Sequence, residues 1–183
     1  MTMLTCLILA VVAIAIFVAY NSAVISKFGV PSSLSASFYL WNGLKKNLGY
    51  IFTGMMFTVA FLLMPAWLEV TEIVSSWSQY LTVLPFFGAA SIAFVGAAPA
   101  FRDCKLESKV HMVAAALAAV FSLLWCVVVC YSVGWIFVLA SLAIIWIVAF
   151  ATKTHKTAST YWWEMVAFLA TFSTIIYELV IHL

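Results

Sequence analysis

The stretch "YWWEMVAFLATFSTIIYELVIHL", Tyr161–Leu183, decides how this chain is read. It is long and apolar enough for a bilayer, which takes about 20 apolar residues at ~1.5 Å each. Yet it carries Glu164, Glu178 and His182. The step from Glu164 to Glu178 is about 21 Å along a helix axis, inside a hydrocarbon core of about 30 Å. Neither carboxylate therefore has to sit at the midplane. At about 100° per residue, Glu164, Thr171, Glu178 and His182 fall within about 40° of one another and form one polar stripe. Two readings of the stripe stand. In one, the ends snorkel to water and the threonine bonds its own backbone. In the other, the stripe walls a pathway, because carboxylates in spans face a bundle interior or a wet cavity.

The rest of the chain supports a membrane reading of this segment. Of 183 residues, 67% are hydrophobic and only 8% charged, where a soluble domain has roughly 25% charged. So few charges cannot cover a water-facing surface, so a lipid bilayer is the expected partner. Spans are expected at about 3–26, 48–68, 81–101, 110–131, 135–152 and 161–183. The fold class is thus all-α, one polytopic domain of six transmembrane helices. The first span is read as retained rather than as a signal peptide, since no Lys or Arg precedes Lys27 and its apolar core is too long.

Charge gives the orientation. Lys27, Lys45 and Lys46 fall between spans 1 and 2. Arg102, Lys105 and Lys109 fall between spans 3 and 4, and Lys153 and Lys156 between spans 5 and 6. Those are all eight basic residues. The positive-inside rule places these loops in the cytoplasm and both termini outside, in a bacterial-type cytoplasmic membrane. Basic residues confined to short loops offer no nucleic-acid surface.

The connections differ in character. "CYSVGW", 130–135, is short enough to make spans 4 and 5 an antiparallel hairpin. "VPSSLSASFYLWNGLKKN", 30–47, reads as a short amphipathic segment lying in the inner headgroup layer, either a plain linker or a lipid or substrate contact. Small residues at Gly88, Ala89, Ala93, Gly96 and Ala97 and at Ala114, Ala118, Ser122, Cys126 and Cys130 suit close packing of spans 3 and 4. Ser122, Cys126 and Cys130 also admit a reading as a polar cavity wall.

Chemistry-bearing motifs are sparse. There is no cofactor fingerprint, nucleophile elbow or metal-ligand spacing, so no cofactor and no metal are expected. His111 and His155 lie at the inner side and His182 at the outer end, too far apart for one three-histidine zinc site. "FRDCKLESKVH", 101–111, places Asp103 and His111 where a serine among Ser32, Ser33, Ser35 and Ser37 can join them as a nucleophilic set. The outer side holds Glu69, Glu72 and Glu178 without an opposing Lys or Arg, which favours cations at an outer mouth.

Three function classes follow. The first is movement or binding of a small solute or cation, by Glu164, Thr171, Glu178, His182, Glu69 and Glu72. The second is an inner-leaflet lipid enzyme using Asp103 and His111. The third is a structural or regulatory membrane protein without chemistry. A second copy of the chain is a further candidate partner.

Overall fold

The structure is a computed structural model that describes residues 2–183. Among the described residues it is all-helical, without strands: α1 Met3–Phe28, α2 Ser37–Leu44, α3 Tyr50–Val74, α4 Ser78–Leu81, α5 Val83–Ala97, α6 Lys105–Val128, α7 Gly134–Ala151 and α8 Ser159–Ile181. Six helices, with α4 and α5 counted as one run over Ser78–Ala97, are long and apolar enough to cross a membrane. Large apolar side chains such as Ile8 and Val11 on α1 and Ile136, Ile147 and Phe150 on α7 are exposed. In water they would be a liability; against lipid tails they cost nothing. The chain thus fits a multi-pass membrane protein.

Helix ends follow local chemistry. Thr2 caps α1, its Oγ1 accepting the Thr5 N–H at 3.3 Å. Pro85 sits in the first turn of α5, where no intrahelical N–H bond is lost. Pro99 ends that helix. The residue before a proline is pushed out of the helical region, and Ala98 indeed has φ −115° and ψ 58°. The expected span of 81–101 therefore stops at Ala97.

Packing sets the layers. The α5–α6 pair makes the most extensive contact, as the small-residue faces led one to expect. The glycines of α5 face elsewhere, however. A Cβ on Gly96 would lie 2.8 Å from the Met56 Cβ, and one on Gly88 2.6 Å from the Trp67 ring. Both glycines thus let α3, rather than α6, approach closely. Helix α8 is the most buried of these six helices and α7 the least. After the short 129–133 turn, α7 lies mainly along α8 rather than along α6.

The loops 29–36, 45–49, 98–104 and 152–158 gather at one end, called here the basic end. The termini and the 75–77 and 129–133 connections mark the other, acidic end. Phe101 and Tyr39 stack edge-on at the basic end, with ring centroids 5.5 Å apart. Trp67 and Trp125 do so at the acidic end, 5.6 Å apart.

Candidate functional site

The site grows from the connection between α1 and α3. It does not lie on the surface as the expected interfacial segment: Leu34, Ser35, Ala36, Ser37 and Phe38 are all buried. Non-helical backbone among apolar helices must find hydrogen-bond partners, and serines supply several here. Ser33 Oγ accepts the Ala36 N–H at 3.1 Å, and the Ser37 hydroxyl donates to the Leu34 carbonyl at 2.5 Å. Tyr20 of α1 shares a hydrogen bond with Ser37 at 2.5 Å. On α8, the Tyr161 N–H donates to the Ser32 carbonyl at 3.3 Å and the Tyr161 hydroxyl to Asn21 Oδ1 at 3.0 Å.

Two further contacts carry chemistry. The Leu34 N–H donates to Glu164 Oε2 at 2.6 Å. Among the described residues this is the only hydrogen-bond donor to the Glu164 carboxyl, and no Lys, Arg or His forms an ion pair with it. The second contact joins Ser35 Oγ to His111 Nε2 at 2.7 Å, with His111 Nδ1 3.0 Å from the Ala98 carbonyl oxygen. A carbonyl only accepts, so Nδ1 carries a proton. In the neutral ring Nε2 is then the acceptor, and the Ser35 hydroxyl donates to it. Pro99 is the upstream cause, since it frees the Ala98 carbonyl from the helix. The ring is also stacked on Phe101, with centroids 4.5 Å apart and planes at 18°.

Ser35 and Glu164 line one cavity of about 50 Å³, enough for a few waters. Its walls are Met56 and Leu63 of α3, Ile92 and Val95 of α5, Ala118 and Ser122 of α6, and Phe168 and Thr171 of α8. The lining residues of α3 and α5 are buried, whereas Ala115, Ala118 and Ala119 of α6 and Glu164 and Phe168 of α8 keep part of their surface. The open side is therefore the gap between α6 and α8. Toward the acidic end Trp125, Cys126, Thr174 and Ile175 are fully buried and close the bundle.

The stripe read from the sequence is thereby divided. Glu164 and Thr171 face the cavity. Thr171 also donates to its own Ala167 carbonyl at 2.8 Å, as the simpler reading expected. Glu178 faces inward too and is 4% exposed, but it lies beyond the seal, with Oε2 3.7 Å from His182 Nδ1. His182 also bonds the Glu178 carbonyl oxygen at 2.9 Å. Glu69 is half-buried and Glu72 exposed, both on the acidic end of α3 and outside the cavity lining. Ser122 lines the cavity, while Cys126 and Cys130 are buried, and all four cysteines are free.

Of the nucleophilic set, the structure brings together Ser35 and His111 and leaves Asp103 apart. Asp103 is exposed and stands beside Tyr39. The ring nitrogen that a Ser/His/Asp set would turn to it is bonded to Ala98 instead. Burial pushes the Tyr39 hydroxyl above its ordinary range, so it is protonated while it accepts the Arg102 N–H at 2.7 Å. Sequence reasoning missed the Leu34 amide and the Ala98 carbonyl, both backbone groups. Only Pro99 signalled either of them. Among the described residues no three His, Cys, Asp or Glu side chains cluster as metal ligands. Comparison with protein-family models, with curated proteins and with solved structures finds no match.

Proposed function

We propose that the chain is a membrane-embedded binding protein. Its ligand is a small solute or amphiphile with a cationic or hydrogen-bond-donating group, seated on Glu164. The carrying observation is that carboxyl: one backbone donor, no cationic partner among the described residues, and a place in the cavity wall. An ionisable side chain within a span is expensive to keep there and by default marks a site. The apolar walls and few polar groups suit a ligand whose remainder is hydrocarbon.

The orientation proposed with it puts both termini outside and the basic end in the cytoplasm of a bacterial-type membrane, with α6 and α7 as an outward hairpin. Its support is the confinement of all Lys and Arg to the basic end, in its loops and in the adjoining turns of α1 and α6. The cavity then belongs to the inner half of the bilayer. Movement of a solute across the membrane would require Trp125 and Ile175 to part, so binding is the primary reading and transport would be built on it.

Two measurements test this. A photoactivatable alkylamine should crosslink to the cavity walls of the detergent-solubilised protein, and Glu164→Gln should reduce that labelling at least about tenfold, the scale of one lost charge-assisted bond. Equal labelling of both proteins would refute the role of Glu164. For orientation, Cys104 is exposed while the other cysteines are buried. A membrane-impermeant maleimide should spare Cys104 in sealed right-side-out vesicles and modify it once they are opened. Labelling before opening would reverse the topology.

A further inference from the structure

We propose that Ser35 and His111 are a nucleophile and its general base, which makes the cavity an acyl-transfer site for an ester held at the membrane boundary. This rests on the reading that the cavity binds a ligand beside Glu164. Three observations carry it. The 2.7 Å separation lies within the range a general base needs. The Ala98 carbonyl fixes the imidazole tautomer, so that the basic lone pair faces the serine. Ser35 lines the cavity while His111 does not, so the hydroxyl stands between a bound molecule and the base.

A bare serine–histidine contact can also simply pin a loop. The depth of this pair argues for more. His111 follows the start of α6 by six residues and Glu164 the start of α8 by five, or about 9 and 7.5 Å of helix. The headgroup layer on each side of a bilayer is about 5–8 Å thick. Ser35 therefore sits where headgroups give way to hydrocarbon, which is the level of lipid ester carbonyls. The cavity is too small for a whole lipid. It takes the carbonyl and its nearest methylenes, while the remainder stays in the bilayer through the α6–α8 gap. A hydroxyl or amine next to that carbonyl can donate to Glu164. The substrate class is thus an acyl ester with such a neighbouring group.

The steps balance without a cofactor. The Ser35 Oγ–carbon bond forms as the hydroxyl proton moves to His111 Nε2. The ester C–O bond then breaks, and His111 returns the proton to the departing alkoxide. Water repeats the sequence on the acyl-serine, releasing the carboxylic acid and restoring both residues. The Ala98 carbonyl orients the ring but carries no full charge. It therefore stabilises the imidazolium less than a carboxylate would, and turnover should be slow.

The test uses the full chain in detergent micelles and an alkyl fluorophosphonate. With this reagent a Ser35 Oγ–phosphorus bond forms, the P–F bond breaks, and fluoride leaves as the proton goes to His111. Peptide mass analysis should find the adduct on Ser35 and none in Ser35→Ala. His111→Gln keeps a donor for the Ala98 carbonyl but removes the base, so it should slow the reaction about 100-fold or more with thermal unfolding little changed. An equal rate in that variant would overturn the proposal. So would a wild-type protein that gives no adduct while the photoactivatable alkylamine still labels its cavity; binding would then survive alone. Loss of both signals in the wild type would sink the binding reading and this one together.

Discussion

Glu164 and Glu178 lie on the same face of α8, yet they meet different surroundings. Glu164 lies at the basic end, where a serine-rich connection folds into the bundle and gives it a backbone N–H. Glu178 lies at the acidic end, beyond a packed layer, with its own helix's His182 as its close partner. The layer between them is built on Trp125, which is fully buried, meets Trp67 edge-on and donates from Nε1 to Thr71 Oγ1 at 2.8 Å. The basic end holds the cavity; the acidic end is closed by indole packing. A polar stripe on a helix therefore does not by itself make a pathway. What lies beside each turn of the stripe decides its role.

The largest expected effect tests the seal. Trp125→Ala removes a fully buried indole and the donor to Thr71, and should cost about 3–5 kcal/mol in denaturant unfolding of the solubilised protein. It should also join the cavity to the acidic end, which would appear as access of a small water-soluble thiol reagent to Cys126. A small loss of stability with Cys126 still protected would erase the contrast between the two ends.

A smaller loss is expected from the connection. Glu164→Ala orphans the Leu34 N–H among apolar helices, a penalty of about 1–3 kcal/mol. Backbone hydrogen exchange should rise over residues 31–38 while α8 stays protected. Exchange unchanged over that segment would mean that Glu164 does not hold it.

The smallest effect belongs to the acidic end. Glu178→Gln keeps the shape and removes a buried charge whose partner, 3.7 Å away, is a half-exposed histidine; the lost pairing and the relieved desolvation oppose each other, so a change of about 1 kcal/mol or less is expected. Photolabelling of the cavity should be the same as in the wild type. A loss of labelling comparable to that of Glu164→Gln would mean that both glutamates serve one route, and would restore the continuous pathway.

Much of this architecture was legible in the residues. Six apolar runs give six helices long enough for a bilayer because length and composition alone set that requirement. The ends moved by up to six residues. At α5 the reason is Pro99; at α3 the helix runs on through Glu69 and Glu72 to Val74, with Val70 and Thr71 buried. The stripe on α8 was visible because helical geometry is local. The pairing of α5 with α6 was visible in their small residues, but the partner of Gly96 was not, since a small residue advertises close approach without naming the helix that approaches.

The site was legible only in pieces. The serines of the 32–37 segment and His111 stood out as residue types, but nothing local selects Ser35 from its neighbours or brings it across 76 positions to His111. Asp103, close to His111 in sequence, looked the better partner and is turned away to Tyr39. By itself the sequence determined the number of helices long and apolar enough for a bilayer and the polar face of α8, because these depend on composition and on a fixed helical period. The tertiary structure alone decided that the α1–α3 connection enters the bundle, that Glu164 borders a cavity and Glu178 does not, and that a backbone carbonyl orients His111. Those outcomes depend on which buried backbone groups must find partners, and the partners come from helices far apart in the chain.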